Sequence, residues 1–588
     1  MKPVIDILEE RISLALADVT GLGPLPALVK PATDAKFGDY QANGVMAAAK
    51  KLKTNPRALA EKLVAQLKLD DICMPPEIAG PGFINLRLKT DFLTGNLLEI
   101  NADTAHLGIS RTENPKTIVV DFSCPNIAKQ MHVGHLRSTI IGDSICRILD
   151  FQGHKVIRQN HIGDWGTQFG MLIAYLKQAN PEVIEDPDSI HIADLEQFYK
   201  NAKARCDANE DFAVLSRQEV VALHAGNKET LNVWRHIVDE SRSHYQPVYD
   251  ILDVNLHQAN ERGESFYADR LSGIVEELKQ KGIAVESDGA TCVFPEGFTN
   301  KQGEPLPFII QKSDGAFLYA TTDLAAIKYR IDELKADKII YVTDARQKLH
   351  FEMLFATARL AGWVHAGVEL VHVAFGTVLG ENNRPLKTRS GENVKLKELL
   401  DEAIQRARAV VEEKNPELAE AKKERIAEAV GVGAVKYADY SNNRTSDYVF
   451  SFDKMLAMDG NTAPYMQYAY ARVKSIERKA AKKDVDVESE LAGITDLNLS
   501  EPAELDLAKH LIRYGEIIES AFADCRPNYL TQYLYELAQK FSAFYNACPV
   551  LAADKATRPT RLLLCDLTAR TIRHGLSELL GIRVVEQM

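Results

Sequence analysis

The chain has 588 residues, 46% of them hydrophobic and 26% charged, a balance that supports several domains with cores of their own. Its 70 basic and 82 acidic residues leave a net charge of −12, which excludes a generally basic nucleic-acid binder but not an RNA gripped by a local basic surface. Eight scattered cysteines without a Cys-x-x-Cys pair exclude a disulfide scaffold and argue against bound zinc, and no apolar run reaches the ~18 residues that cross a bilayer, so a reduced, cytoplasmic protein is expected.

Residues 1–112 begin with apolar positions at helical spacing, Ile5, Leu8, Ile12 and Leu16, and the pattern returns between Met46 and Leu67. The turn Gly80-Pro81-Gly82 precedes an alternating stretch, Phe83 to Leu88, that reads as a strand, so a small α+β module is predicted. From 113 to 380 the pattern changes. A β-branched run, Thr117 to Phe122, predicts a buried parallel strand, followed by a helix from His135 to Leu149 and a strand at Lys155–Arg158. A further helix follows Gly163-Asp164-Trp165-Gly166, and such alternation predicts a doubly wound, Rossmann-type parallel sheet. A charged, helical insertion spans about 181–281. After it come short strands at Ala284, Phe308–Gln311 and Ala316–Ala320, then helix Leu324–Leu334, strand Lys338–Val342, helix Phe351–Gly362 and strand Val368–Phe375. Residues 381–460 read as a helical connecting region entered through a polar loop, Lys387-Thr388-Arg389-Ser390-Gly391. Residues 461–588 read as helical apart from a charged loop near Arg478–Glu490. Gly431-Val432-Gly433 lacks a phosphate-loop pattern and is read as a packing contact. The expectation is a multidomain α/β protein: an α+β N-terminal domain, a split catalytic sheet and an all-helical C-terminal domain.

The sharpest chemical signal is Pro125-Asn126-Ile127-Ala128-Lys129-Gln130-Met131-His132-Val133-Gly134-His135, placed between the first strand of the sheet and its helix. Open α/β sheets bind ligands at that edge, near helix N-termini. Gly134 has no Cβ, so a nucleotide can press against the backbone. His132 and His135 can donate hydrogen bonds to oxygens that gain charge when an α-phosphorus is attacked, each worth about 2.7–4 kcal/mol. Taken alone, His-x-x-His reads first as a polar helix cap.

The strand–loop–helix setting and the longer words around it change that reading. The segment resembles the adenylate-forming signature of class I aminoacyl-tRNA synthetases. Ser123 to Asp143 and Gly163-Asp164-Trp165-Gly166-Thr167-Gln168-Phe169-Gly170 resemble the arginyl-tRNA synthetase family. Phe37-Gly38-Asp39-Tyr40-Gln41-Ala42-Asn43 is similar to that family's N-terminal tRNA-binding module. Asp459-Gly460-Asn461-Thr462-Ala463-Pro464-Tyr465 and the end Val584-Val585-Glu586-Gln587-Met588 are similar to its helical anticodon-binding domain. The resemblance implies an arginine–tRNA ligase that uses ATP with Mg²⁺ to form an adenylate from L-arginine, then transfers the arginyl group to the 3′ end of tRNA-Arg. It also implies that tRNA binds before activation. No membrane contact and no protein-held metal are expected, and a monomer is the expected state.

By the same resemblance, Tyr319 and Asp323 address the arginine guanidinium, with Gln347 nearby, while Asp121 and Asn126 meet its α-amino and carboxylate end. A guanidinium has five fixed donors and no acceptor, so a selective site must offer carboxylates in fork geometry. Tyr319 and Asp323 lie four apart where a strand is predicted to meet a helix, so both can face one cleft. Read alone, Asp323 serves as a helix N-cap. Many class I synthetases carry a second phosphate loop, Lys-Met-Ser-Lys; the corresponding Pro385-Leu386-Lys387-Thr388-Arg389-Ser390-Gly391 lacks its final lysine, as arginyl enzymes commonly do. Lys387, Arg389 and Lys129 are then the candidate phosphate cations. His350, at the start of a helix, is a nucleotide contact or a cap. Among tyrosines that mostly pack helices, Tyr545, with the terminal Met588, is the anticodon contact the resemblance points to. Two rivals stay open at this point: a class I enzyme for another amino acid, and a non-catalytic tRNA-binding relative.

Overall fold

The computed structural model describes residues 1–186, 190–387 and 393–588. Two compact units emerge, one formed by Thr112–Leu456 with Leu579–Arg583, the other by Met1–Arg111 with Ala457–Glu578 and Val584–Met588.

The first of these holds a four-stranded parallel sheet in the order Glu369–Phe375, Lys338–Asp344, Thr117–Asp121, Lys155–Gln159. Its central strands are Val- and Ile-rich and buried on both faces, as parallel strands covered by helices must be. The chain leaves Thr117–Asp121 for the neighbour on one side and returns some two hundred residues later (~200, several domain elements on) to lay Lys338–Asp344 on the other. Strand order therefore reverses between these two, and the crevice beyond their carboxyl ends is the place for a ligand. Register matters here. Asp121 pairs with Tyr341, so the neighbouring strand runs on past it to Asp344.

Helix Val133–Phe151 follows the first strand and is buried along nearly its whole length. Gly142 permits its close approach, since a Cβ there would lie 2.3 Å from the Phe122 side chain. Helices Leu396–Lys414 and Glu420–Tyr440 pack together, and a Cβ on Gly431 would meet the Ile404 backbone at 2.7 Å, so this glycine is a packing contact as read. The insertion contributes Leu195–Ala208, Glu210–His224 and Lys228–Ile251. Strands Ala284–Ser287, Ala290–Val293 and Phe308–Gln311 form a separate antiparallel sheet. The strand expected at Ala316–Ala320 is reduced to one antiparallel bridge, from Phe317 to Gln311. Helix Tyr319–Asp332 starts there, with Leu318 extended at its N-cap and its carbonyl accepting the Thr321 amide at 2.9 Å. The aromatic, β-favouring residues before it had masked the helix start; burial of Leu324 and Ile327 in the core against Leu354 and Ile339 decides the outcome.

In the other unit, helix Val4–Thr20 accompanies an antiparallel sheet ordered Val29–Pro31, Tyr40–Ala42, Phe83–Leu86, Glu77–Ala79. The C-terminal part is helical, including Ala463–Ala481, Pro502–Leu511, Tyr514–Ala523, Asn528–Ala547 and Arg558–Arg573. Tyr40, fully buried, donates its hydroxyl proton to Glu516 at 2.5 Å, and Lys509 pairs with Asp39 at 2.8 Å. Two residues of the Phe37–Asn43 word thus anchor the N-terminal module to the helices. No helix among the described residues is long and apolar enough to cross a membrane.

Candidate active site

His132 occupies the N-cap of helix Val133–Phe151. Its Nδ1 accepts the Gly134 amide at 3.0 Å, and Nδ1 of His135 accepts the His132 amide at 3.1 Å. The pair is a capping box built from imidazoles. An accepting nitrogen carries no proton, so each neutral ring keeps its hydrogen on Nε2. The cap uses one nitrogen of each ring and leaves the other as a donor; the ring centroids lie 4.1 Å apart. Gly134 protects this arrangement, because a Cβ there would sit 2.7 Å from the His132 ring.

Burial lowers the pKa of His135 to about 3, and burial together with Lys129 lowers that of His132, so both rings are neutral at pH 7. Burial also holds His372, His510 and His574 near 4. A histidine depressed in the folded state is protonated first in the unfolded chain. Its stabilising contribution is therefore present above the ordinary value of 6.5 and is lost as pH falls toward the folded value. Denaturant midpoints are expected to drop steadily from about pH 6.5 down to about 4. A midpoint that stays level over that interval contradicts the neutral imidazoles.

The loop before the cap is strained: Ser123, Cys124 and Ala128 have φ of 74°, 52° and 59°, a region that costs a non-glycine residue about 1–2 kcal/mol. Three side-chain acceptors hold it. The Ser123 amide donates to Ser138 Oγ at 2.9 Å, the Cys124 amide to Asn160 Oδ1 at 3.0 Å and the Ala128 amide to Ser241 Oγ at 3.0 Å. Ser138 donates in turn to the Val342 carbonyl at 2.6 Å.

Asp121 departs from expectation. It is 6% exposed and its Oδ2 accepts Arg330 Nη2 at 2.6 Å, while the Cys124 thiol points at Oδ1 at 3.2 Å. Arg330, fully buried, also donates to Gln159 at 2.6 Å. Asp121 closes its strand as read, opposite Gln159, but its carboxylate neutralises an internal guanidinium. Breaking such a buried pair costs about 3–5 kcal/mol.

Tyr319 and Asp323 fall one turn apart on helix Tyr319–Asp332, so they share a face. Asp323 is inside the helix and is not its N-cap. The residue opposite is His350, whose Nε2 lies 2.7 Å from Asp323 Oδ2 and whose ring is 5.0 Å from that of Tyr319. His350 belongs to helix Lys348–Leu360, whose N-cap position is Gln347, so His350 is not a cap either. The structure thus brings Tyr319, Asp323 and His350 together, with Tyr319 64% exposed and Gln347 exposed nearby in sequence. Asn126 is exposed and bridges to Gly163, where a Cβ would meet Asn126 Oδ1 at 2.8 Å. The sequence reading missed Glu264, a half-buried carboxyl that burial, then the charges of Asp164 and Asp323 working against His161, push up to about 7.

Of the candidate phosphate cations, Lys129 is exposed with its ammonium 4.8 Å above the Tyr199 ring. Lys387 is exposed and bridges to Asn393. Arg389 lies outside the described residues. The chain beyond Asn393 pairs with the signature itself: the Val133 amide donates to Val394 and the Leu396 amide to Met131, both at 2.9 Å. One stem of the polar loop is therefore fastened to the residues flanking His132.

Comparison with known proteins settles the family. The models "tRNA synthetases class I (R), catalytic domain", "Arginyl tRNA synthetase N terminal domain" and "DALR anticodon binding domain" match residues 98–452, 6–88 and 466–588. The chain is 52% identical over 587 residues to the arginine–tRNA ligase of Nostoc punctiforme, covering 99% of this chain and 98% of that protein. The chain belongs to the arginyl-tRNA synthetases. Solved structures agree: the arginyl-tRNA synthetase of Plasmodium falciparum has a TM-score of 0.86 at 31% identity, and that of Thermus thermophilus 0.80 at 27%, each with 100% of both chains covered. The reaction is that of an arginine–tRNA ligase of class I, which uses ATP.

This arginyl-tRNA synthetase carries its anticodon-binding domain in the C-terminal helices. There Tyr545 is half-buried, with the Arg472 guanidinium 4.8 Å over its ring. Arg478, on the same helix as Arg472, donates to the Glu586 carbonyl at 2.9 Å, close in sequence to the half-buried Met588. Arg570 is spent on structure, pairing with Asp566 at 3.1 Å and donating to the Ile100 carbonyl at 3.2 Å.

Proposed function

We propose that the crevice at the carboxyl edge of the parallel sheet forms arginyl-adenylate in the following way. The guanidinium of L-arginine lies against Tyr319 and Asp323, with Gln347 nearby, and its α-amino and carboxylate end reaches Asn126. ATP enters as its Mg²⁺ complex, the metal held by phosphates and water as a hard cation prefers. His132 and His135 donate from Nε2 to the α-phosphate oxygens as the arginine carboxylate attacks phosphorus in line and pyrophosphate leaves. Lys129, Lys387 and Arg389 are the cations available to the β- and γ-phosphates. A terminal ribose hydroxyl of tRNA then attacks the activated carbonyl, releasing AMP. Positioning and charge stabilisation carry the rate, since little covalent chemistry falls to the protein. Anticodon contacts are assigned to Tyr545 and Met588, the working unit to a monomer and the compartment to the cytoplasm.

The supporting observation is the pair of Nε2–H donors that the capping box leaves over at the switch point of the sheet. Pyrophosphate exchange, run with each amino acid in turn, is expected with arginine alone and only when tRNA is present. Robust exchange without tRNA contradicts the order of binding; equal exchange with lysine contradicts the forked pocket.

A further inference from the structure

The inserted segment completes a hydrogen-bond chain that ends on the second signature histidine. Asn160 Oδ1 accepts the Cys124 amide, which fixes the orientation of its side chain, so Nδ2 donates to the Tyr249 hydroxyl at 3.1 Å. Tyr249 then directs its own proton to Ser123 Oγ, 2.8 Å away. Ser123 donates onward to Thr139 Oγ1 at 2.8 Å, because Thr139 spends its proton on the His135 carbonyl at 2.7 Å. Each hydroxyl has one direction only. Ser123, Thr139, Asn160 and Tyr249 are at most 4% exposed, so water does not stand in for a missing link, and the bonds polarise one another.

We propose that Tyr249 is a positioning residue for arginine activation. Through Ser123 and Thr139 it holds the left-handed start of the signature loop and the first turn of the helix that presents His132 and His135. This gives the inserted segment a task in the first chemical step, reinforced by Ser241 of the same helix, which secures Ala128. The inference rests on the reading that the two Nε2–H groups serve adenylation.

Tyr249→Phe keeps the ring and removes the hydroxyl, leaving Asn160 and Ser123 without their partner. Measured as arginine-dependent pyrophosphate exchange with tRNA present and normalised to active sites, kcat is expected to fall about tenfold or more. The KM for ATP and the Kd for tRNA should change less than about twofold, a split that a general loss of packing does not produce. Thr139→Val breaks the same chain two links on. The double variant should therefore be no slower than the slower single one, whereas unrelated defects multiply. Parent-like kcat in Tyr249→Phe, or multiplied losses in the double variant, overturns the proposal. Ser123→Ala, which cuts the middle link, replaces Tyr249→Phe if that variant does not fold, and parent-like kcat there overturns it equally. A parent-like Tyr249→Phe beside an inactive His132→Asn removes the positioning role alone and leaves the roles of the histidines standing.

Discussion

Asp323→Ala is expected to lower kcat/KM for arginine by about 10²–10³, with most of the loss in the KM for arginine and little in the KM for ATP. The first turn of helix Tyr319–Asp332 places the Tyr319 ring and the Asp323 carboxylate on one face. Asp323 Oδ2 is engaged by His350 at 2.7 Å, and in the proposed pose its other oxygen meets the guanidinium. Removing one partner of a desolvated, hydrogen-bonded charge pair costs about 2–5 kcal/mol, because the surviving charge is left unpaired. The variant also strands the His350 N–H. Glu264 softens the blow only in part: its pKa is held up to about 7 partly by the charge of Asp323, so losing that charge lets Glu264 ionise more readily beside the bound cation. A lysine substrate gains nothing, since its single ammonium cannot satisfy acceptors spaced for a fork. Steady-state kinetics with arginine and ATP varied separately check this. An unchanged KM for arginine with a raised KM for ATP assigns the Asp323–His350 pair to the nucleotide instead.

Much of the candidate site's geometry was legible in the amino-acid sequence because its residue pairs are local. The imidazoles of His132 and His135 lie within one helical turn, and Tyr319 and Asp323 within another, so short-range pattern brings each pair together. The parallel strands were equally legible, since Val- and Ile-rich runs bounded by turns admit few other structures. What failed depended on distant partners. Asp121 ends its strand as read, but Arg330, which claims its carboxylate, lies 209 positions away. Tyr249 reaches Ser123 across 126 positions and Ser241 reaches Ala128 across 113, contacts that no periodicity encodes. The start of the helix at Tyr319 was hidden for a different reason: Phe317, Leu318 and Tyr319 favour a strand locally, and only the core behind them selects the helix. In the Phe37–Asn43 word, Asp39 and Tyr40 likewise spend their polar atoms on distant partners, Lys509 and Glu516.

The signature pair allows its two duties to be separated by substitution. A capping box needs only an acceptor at the N-cap and another three residues on, roles that Asn and Gln fill as well as any residue. Here both acceptors are imidazole Nδ1 atoms, bonded at 3.0 and 3.1 Å. What imidazole adds is a second nitrogen that stays protonated while the first accepts. His132→Asn with His135→Gln should therefore keep the helix start and the thermal midpoint, since the cap is retained, yet remove both Nε2–H donors. Each donor aimed at developing phosphate charge is worth about 10²–10³ in rate, so the double variant should lose about 10⁴ or more in pyrophosphate exchange. His132→Ala is the contrasting case. It deletes cap and donor together and is expected to lose about 1 kcal/mol of stability in addition to activity. A folded double variant that still activates arginine at near-parent rates leaves the histidines as caps and nothing more, and the charge on the α-phosphate would then have to be met by Lys129 or by the cations of the polar loop.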